Sequence, residues 1–472
     1  MKKYKLQILI VILWVYLIYA LALGVIPNLR EKRVPQSYKE TVNPSSFYSE
    51  TPSCDRVALV ETPQDGFKTR LKIIDEAEER LDISYYAMHM GETTDIFLGS
   101  ILDAAERGVK VRILVDGQFG GLTKFNKLYS DAIGSHENIE LRVYNTPNIL
   151  KPWTWNGCLH DKYIIVDDVI LLLGGRNIGD KYFAPESFSG ELSYDRDVLI
   201  YNAQRSSRSA LFSVRDYMDS IWNDGKNVET VGKHSKKAKA KQDSLLESYR
   251  DYKENNASLF NHDDDWKEWT NEANKVTFIH NDAHINLKVP KVEYTLGALL
   301  LSAKESAVMQ SPYVINSPQL RRILKELGEK DIDARILTNS PGSSPNPIAL
   351  SAYYGCRKSI LKKDIRIFEY QGSGSIHAKS YQVDNRLTLI GSYNLDPRSA
   401  SLDTELLLAI DSTEFAAHFN EVQASYFDKS LELSADGSYV ENAGVAVRNV
   451  SLIKWMMIYL LYLPIKLVLP LS

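Results

Sequence analysis

One stretch of the sequence occurs twice, at residues 160–180 and again at residues 377–397. Each copy starts with His-x-Lys and places an aspartate, a glycine and an asparagine seven, fourteen and seventeen residues after the histidine. One such match can arise by chance, but two matches in the same register are strong evidence for a functional motif. The repeat therefore predicts two halves of similar fold that carry equivalent polar residues: His160, Lys162, Asp167, Gly174 and Asn177, and His377, Lys379, Asp384, Gly391 and Asn394.

The segments that precede the repeat also match between the two halves. Residues 77–88 and 303–315 both run from a helical pattern into an apolar strand that contains aromatic residues. Residues 101–115 and 320–338 then form an amphipathic helix followed by a second strand. This alternation predicts an α/β layered domain that occurs twice.

The spacing of the repeat has a chemical meaning. Residues two apart in a strand point to the same side, so each histidine is expected beside its lysine, an arrangement that suits a nucleophile or acid next to a bound phosphate. The dipeptides Asp167-Asp168 and Asp384-Asn385 are typical of tight hairpin turns. Both motif aspartates are therefore assigned to structure rather than chemistry.

Small and amide residues follow the next strand of each half. The small residues let the backbone approach a ligand, which predicts four substrate-binding positions: Gly174, Gly175, Gly391 and Ser392. Asn177 and Asn394 can donate amide hydrogens to phosphoryl oxygens. The block as a whole predicts an anion site, and the remaining histidines are given no role in it.

Composition disfavours some other functions. The formal charge is −4, from 56 basic and 60 acidic residues, so the basic excess of a dedicated nucleic-acid enzyme is missing and no nucleic-acid partner is expected. The three cysteines are too few and too scattered for a zinc site.

Both ends of the chain are apolar. Residues 6–26 follow three lysines and are long enough to span a bilayer, which predicts a membrane anchor over residues 1–30. A cleaved signal peptide is the alternative, because residues 20–22 resemble a cleavage site. Aromatic residues and lysines interrupt the apolar residues of 445–472, which predicts a membrane-interfacial segment, with a core-packing helix as the alternative.

Composition also divides the part of the chain between the two ends. We predict a first domain over residues 50–225, a polar linker over 226–274 and a second domain over 275–440. A lysine cluster at 233–241 lies in the linker. It is interpreted as a solvated helix face, with attraction to anionic lipid headgroups as the alternative.

The two patterns HxKx4Dx6GGxN and HxKx4Dx6GSxN resemble the duplicated catalytic motifs of the phospholipase D superfamily. Further segments are similar to bacterial cardiolipin synthases of the C type, namely GGRNIGDKYF, Asp195-Arg196-Asp197, residues 352–370, Pro397-Arg398-Ser399 and Leu463-Pro464-Ile465. The likeness covers nearly the whole chain beyond residue 50. It implies two phospholipase D-like α/β/α sandwich domains related by pseudo-twofold symmetry around one active site, with an N-terminal transmembrane helix.

The resemblance also implies a mechanism without a metal or cofactor. One histidine attacks phosphorus and forms a phosphohistidine, and the other serves as general acid and then base. His160 is cast as the nucleophile and His377 as the acid/base, although the symmetry leaves the reverse assignment open. Lys162, Lys379, Asn177 and Asn394 would hold the phosphoryl oxygens, and Asp197 and Glu405 would orient the histidines.

Three functions follow from the resemblance. The preferred one is transphosphatidylation that makes cardiolipin, with phosphatidylglycerol and another phospholipid as substrates, because the apolar ends and Trp153 and Trp155 favour a membrane-facing site. A phospholipid hydrolase or a nuclease would use the same residues with water, whereas two intact motifs disfavour a non-catalytic scaffold. The expected location is a bacterial inner membrane, with the catalytic part on the periplasmic side; no protein partner is indicated.

Overall fold

A computed structural model describes residues 2–225, 227–261 and 265–467 of the protein. The strands of the first half are β1 (Arg56–Val60), β2 (Arg80–Tyr85), β3 (Lys110–Asp116), β4 (Ile139–Tyr144), β5 (Lys162–Val166), β6 (Ile170–Gly174), β7 (Ser193–Tyr194), β8 (Asp197–Tyr201), β9 (Val228–Thr230) and β10 (Asn271–Glu272). The strands of the second half are β11 (Lys275–His280), β12 (Ser306–Gln310), β13 (Asp333–Asn339), β14 (Arg366–Tyr370), β15 (Ser375–Ile376), β16 (Lys379–Val383), β17 (Leu387–Gly391), β18 (Leu406–Asp411) and β19 (Ser430–Glu432).

The helices are likewise distributed over the two halves of the chain, and most of them pack on the sheets. Those of the first half are α1 (Lys2–Ala20), α2 (Gln36–Thr41), α3 (Pro63–Asp75), α4 (Glu92–Glu106), α5 (Lys127–Gly134), α6 (Asp180–Phe183), α7 (Ala210–Trp222), α8 (Lys236–Asn255) and α9 (Trp266–Trp269). Those of the second half are α10 (Lys291–Leu301), α11 (Pro318–Gly328), α12 (Pro347–Leu361), α13 (Pro397–Ser401), α14 (Thr413–Phe427) and α15 (Leu452–Leu467).

The two sheets have the same strand order. The first runs β10-β1-β8-β6-β5-β2-β3-β4-β9 and the second β11-β18-β17-β16-β12-β13-β14-β19, so every strand of the second sheet has a counterpart in the first. In each sheet three neighbouring strands are parallel and the others pair antiparallel, as expected where helical crossovers join some strands and hairpins join others. The predicted fold class, two α/β domains with duplicated topology, is confirmed.

The central strands are buried on both faces. Every residue of β5, β6, β16 and β17 is buried, which explains their long apolar runs. On one face, α3, α4 and α8 cover the first sheet, while α10, α11 and α12 cover the second. The opposite faces meet in a common core that joins residues of both sheets with α7 and α14, so the two halves form one hydrophobic unit.

The segment predicted as a polar linker differs from that expectation. Residues of α8 at helical spacing, among them Leu245, Leu246 and Tyr249, are buried in the first domain's core. The Gln242 side-chain amide donates to the Ala132 carbonyl at 2.7 Å. The linker prediction was wrong because α8 carries many charged residues, among them five lysines, beside a narrow apolar stripe. The helix belongs to the helical layer of the first half.

The N-terminal helix projects from the first domain. Residues Tyr4–Asn28 form a helical segment that is long and apolar enough, by length and composition, to cross a membrane, and only 11% of its most apolar window is buried. The Tyr16 and Tyr19 hydroxyls donate to the Ile149 and Leu150 carbonyls at 2.9 and 2.8 Å. The end of the helix is therefore fixed to a loop of the first domain.

The C-terminal helix α15 combines features of both alternatives predicted from the sequence. One side packs on α12, where Ile458 is buried and the Ser351 hydroxyl donates to its carbonyl at 2.7 Å. The other side leaves Leu452, Ile453 and Leu460 more than 70% exposed. An exposed apolar face of this size beside a packed one offers a surface for contact with a membrane or another molecule.

Candidate active site

Each histidine lies directly before a central strand of its own half. Lys162 is the first residue of β5 and Lys379 the first residue of β16, and the ammonium group of each donates to the carbonyl of the histidine two residues earlier. Both lysines are about 1% exposed. The charge of Lys379 acts on both Lys162 and His160, so the two His-x-Lys pairs lie close together at the interface of the halves.

The acidic partners of the histidines are exchanged between the halves. Asp195 of the first half binds Nδ1 of His377 in the second. Oε1 of Glu405, in the second half, lies 3.0 Å from Nδ1 of His160 in the first. Both carboxylates are fully buried, so neither histidine keeps its orienting partner unless the two halves stay together.

Asp197, which the sequence interpretation cast as a histidine partner, has a different position. Its carboxylate forms ion pairs with Arg70 and Arg176, both at 3.0 Å, in the interior of the first half. The strand register explains the error: Asp197 pairs with Gly174, and the residue opposite Gly391 is Leu407. The counterpart of Glu405 is consequently Asp195, two residues earlier, and aligning the buried strands instead of the charged residues would have identified it.

The two motif asparagines occupy equivalent sites. The side-chain amide of Asn177 donates to the Tyr182 hydroxyl at 3.1 Å, and that of Asn394 donates to the Ser399 hydroxyl at 3.2 Å. In the part of the chain that the structure describes, both amide oxygens are buried without a hydrogen-bond partner. Each amide group therefore keeps unused hydrogen-bonding capacity in the site.

The four positions predicted to approach a substrate instead face protein. A Cβ atom on Gly174 or Gly391 would lie 2.4 Å or less from a backbone carbonyl of the neighbouring strand, and one on Gly175 would lie 2.3 Å from the Asp195 carboxylate. The Ser392 hydroxyl donates to Glu405. These small residues make room for the segment that carries the acidic partner, so the prediction of direct ligand contact is corrected.

The motif aspartates bind the backbone of a neighbouring strand. The Asp167 carboxylate accepts from the backbone amides of Glu78, Glu79 and Arg80 at 2.6–2.9 Å. The Asp384 carboxylate accepts in the same way from residues 304–306 at 2.8–3.0 Å. Both belong to turns in which two successive residues have positive φ, between 47° and 61°, the backbone of a type I′ hairpin.

Two aromatic rings line the site, one beside each histidine. The Tyr86 ring lies 4.6 Å from the His160 ring, and the Tyr182 ring lies 5.5 Å from the His377 ring. Neither tyrosine was singled out in the sequence, because nothing in the motif spacing marks them. Among the described residues no group of three or more His, Cys, Asp or Glu side chains is arranged to hold a metal ion.

Comparison with known proteins decides the family. Residues 71–222 and 296–426, more than half of the chain, match the family described as "Cardiolipin synthase, PLD-like domain", where PLD stands for phospholipase D. The chain belongs to this family. The predicted membership of the phospholipase D superfamily is thus confirmed, and the protein is a phosphodiester-transferring enzyme.

Relatives within the cardiolipin synthase family match most of the chain. Cardiolipin synthase C of Escherichia coli (strain K12) is 26% identical over 419 residues, which cover 80% of this chain and 86% of that protein. Cardiolipin synthase A of Proteus mirabilis (strain HI4320) is 23% identical over 386 residues, which cover 81% of this chain and 71% of that protein. The crystal structure of a phosphatidylserine synthase from Haemophilus influenzae Rd KW20 shares the fold, with a TM-score of 0.64, 15% identity and coverage of 93% of this chain and 99% of that one.

Burial disfavours the protonated form of both histidines of this cardiolipin synthase-family site. Burial, assisted by the neighbouring Lys379, lowers the pKa of His377 to about 3. Burial, assisted by Lys162, holds the pKa of His160 well below its usual range. A neutral imidazole is the form that can attack phosphorus, and an anionic phosphate in the site would favour protonation of its partner.

The pKa values of the two acidic partners are shifted in opposite directions. Burial opposes the ionisation of Asp195, but Lys379 and His377 outweigh it and keep the pKa of this carboxyl well below its usual range. Burial raises the pKa of Glu405 to about 7 in spite of the nearby Lys162. An ionised carboxylate stabilises an imidazolium better than a half-protonated one, so His377 is the better placed of the two histidines to carry a proton.

Burial disfavours the charged form of both lysines of the family motif. Burial, together with the like charge of Lys379, lowers the pKa of Lys162 to about 7, and burial lowers the pKa of Lys379 as well. Two ammonium groups buried close together are stabilised by an anion between them. The site can therefore bind a phosphoryl group and compensate the charge of its equatorial oxygens.

Proposed function

We propose that this protein transfers a phosphatidyl group from one phospholipid to the hydroxyl of another, making cardiolipin or a related phospholipid through a phosphohistidine intermediate. Membership in the cardiolipin synthase family supports a phosphodiester transfer, and the pairing of two His-Lys sets with buried acids supplies a nucleophile, a proton carrier and a phosphate clamp. The names of the relatives from Escherichia coli and Proteus mirabilis suggest the lipid product.

In the proposed reaction His160 attacks the phosphorus atom of the donor lipid. A P–N bond forms as the P–O bond to the leaving alcohol breaks, and His377, which takes up a proton when the anionic lipid binds, gives that proton to the leaving oxygen. His377 then takes the proton of the acceptor hydroxyl, whose oxygen attacks phosphorus and releases His160. Lys162 and Lys379 compensate the charge on the equatorial oxygens in both steps.

The choice of a lipid substrate is supported by aromatic residues that connect the site with the surface. Phe119 is 44% exposed, and its ring lies 5.1 Å from the Tyr86 ring, which in turn contacts His160. The loop bound by Tyr16 and Tyr19 of the N-terminal helix exposes Ile149 and Leu150 by about 70%. An apolar rim next to a candidate membrane helix suits a substrate whose acyl chains stay in the bilayer.

The same features support a location at a bacterial inner membrane. The segment Tyr4–Asn28 would anchor the protein, and the exposed face of α15 would lie in the interface. Phosphatidylglycerol and a second phospholipid are the proposed substrates, and the catalytic part is proposed to face the periplasm.

Lipid analysis of cells that lack their own cardiolipin synthases tests this function. Expression of the intact chain is expected to restore cardiolipin on thin-layer chromatography, whereas His160→Ala is expected to give none. His418→Ala is the matched control, because this histidine is about half exposed on α14 and lies outside both copies of the motif. Phosphatidic acid in place of cardiolipin would refute the transferase and establish the alternative, a phospholipid hydrolase that uses water as the acceptor.

A further inference from the structure

The pseudo-symmetry of the two halves relates Lys181 to Arg398. The interval that separates His160 from His377 also separates Ile178 from Leu395, and both of these form an equivalent isolated bridge. The same interval relates Tyr182 to Ser399, the hydroxyl partners of the two motif asparagines. The residues just before them, Lys181 and Arg398, are thus equivalent cations at the edge of the active site.

Arg398 is neutralised within the protein. Its guanidinium group forms an ion pair with Asp403 at 3.0 Å and donates to the Asn156 carbonyl at 2.8 Å and to Sγ of Cys158 at 3.1 Å. Asp403 precedes the acidic partner Glu405 by two residues. This cation fixes the contact between the halves and has its charge compensated there.

Lys181 is a cation like Arg398, but no counterion equivalent to Asp403 stands beside it in the described part of the chain. The first-half acid is Asp195, so the position equivalent to Asp403 is Ser193. No carboxylate of the described residues lies within ion-pairing distance of Lys181, and the neighbouring Asp180 carboxylate is engaged by the backbone amide and hydroxyl of Thr93 at 2.9 and 2.6 Å. Lys181 is only partly exposed, and burial lowers its pKa. A half-buried, uncompensated ammonium group is a site for an anion.

The position of Lys181 places that anion on the His377 side of the site. Its Nζ lies 5.0 Å from the centre of the Tyr182 ring, which lies 5.5 Å from the His377 ring. The exposed His89 stacks against the same tyrosine at 6.3 Å and can add a donor. The anion would therefore be separated from His377 by the width of one aromatic ring.

We propose that Lys181, with His89 beside it, binds the phosphodiester of the acceptor lipid. This inference rests on the proposed function, in which His377 takes the proton of the acceptor hydroxyl. An acceptor such as phosphatidylglycerol carries that hydroxyl on a glycerol whose far end bears a phosphodiester, so an acceptor bound at His377 extends its second negative charge toward the rim. Neither water nor a simple alcohol can use this contact, and Lys181 thereby selects an anionic lipid as the acceptor.

A competition assay with the full-length protein in lipid vesicles tests the proposal. A trace of fluorescent phosphatidylglycerol serves as donor, and unlabelled phosphatidylglycerol competes with ethanol as acceptor, giving labelled cardiolipin or labelled phosphatidylethanol. Lys181→Met is expected to lower the ratio of cardiolipin to phosphatidylethanol about tenfold, the size of one lost hydrogen bond to a charged group, with phosphatidylethanol formation unchanged. Lys181→Arg is expected to restore most of the ratio.

The controls separate this inference from the proposed function. Lys325→Met removes a well-exposed lysine of α11 and is expected to change nothing. An unchanged product ratio in Lys181→Met would overturn the acceptor subsite while leaving the transferase intact, and so would an equal loss of both products. If the unaltered protein makes neither labelled transfer product, the proposed function itself fails.

Discussion

At the scale of single residues, two neighbouring aspartates have different tasks. Asp195 contacts His377, whereas Asp197 is the shared anion of two buried arginines. Both side chains are fully buried and lie on the same short segment. Substitution of one is therefore a matched control for substitution of the other.

We expect Asp195→Asn to lower kcat by a factor on the order of a hundred or more with little change in thermal stability, because the imidazole loses the charge that orients it and stabilises its protonated form. Asp197→Asn should instead destabilise the fold by about 3–5 kcal/mol, because it leaves Arg70 and Arg176 without a buried counterion. Phosphodiester turnover and thermal unfolding of both variants measure this. The assignment fails if Asp197→Asn is the one that loses activity while staying folded.

The charge of Lys162 predicts a pH dependence. Its pKa in the free enzyme is about 7, so this lysine loses its proton as the pH rises through neutrality. Since only the cation clamps phosphate, kcat/KM should fall above about pH 7. In Lys162→Arg, whose guanidinium stays charged, the decline should move to higher pH even though the rate is lower. An identical alkaline limb in both proteins would show that another group causes it.

At the scale of structural elements, the hairpin after each motif strand is tied to the strand beside it. The Asp384 carboxylate accepts three successive backbone amides from the start of β12. Burial raises the pKa of this carboxyl, but these hydrogen bonds outweigh that effect and hold the pKa below its usual value. The spacing between histidine and aspartate is thus set by the length of one strand.

Asp384→Ala should lower the free energy of unfolding by about 1–3 kcal/mol at pH 7, because three backbone amides lose their acceptor. Since the folded-state pKa is depressed, this stability is fully present above the unfolded value of about 4 and disappears as the pH falls through the folded value. Denaturant unfolding of the two proteins from pH 7 to pH 3 measures this. A difference that is constant with pH would contradict the role of the carboxylate charge.

At the scale of the whole molecule, the active site exists only in the assembled pair of halves. Each half provides the acid for the histidine of the other, and β7 pairs with β15 directly before His377. Arg196, beside Asp195, donates to Gln310 and Ser380 of the second half at 3.1 and 2.9 Å. A core of residues from both sheets lies behind these contacts.

Separate expression of residues 1–272 and 273–472 should therefore give no phosphodiester transfer from either part, because each part exposes its half of the common core and lacks one acid. Co-expression of both parts should restore activity if they reassemble. Activity and co-purification of the two parts measure the outcome. Turnover by one part alone would contradict a site built by exchange.

The duplicated α/β fold, the two His-Lys pairs and the motif turns were predictable from the amino-acid sequence, because strand periodicity and turn geometry are local properties that a repeat displays twice. The resemblance of the DTELL segment to the superfamily's acidic partners also pointed to Glu405, which lies directly before the buried strand β18. The folded structure was needed to show that Glu405 lies beside His160, that Asp195 rather than Asp197 contacts His377, and that α8 belongs to the first core. These facts depend on strand register and on packing between distant segments, which distances along the chain do not encode.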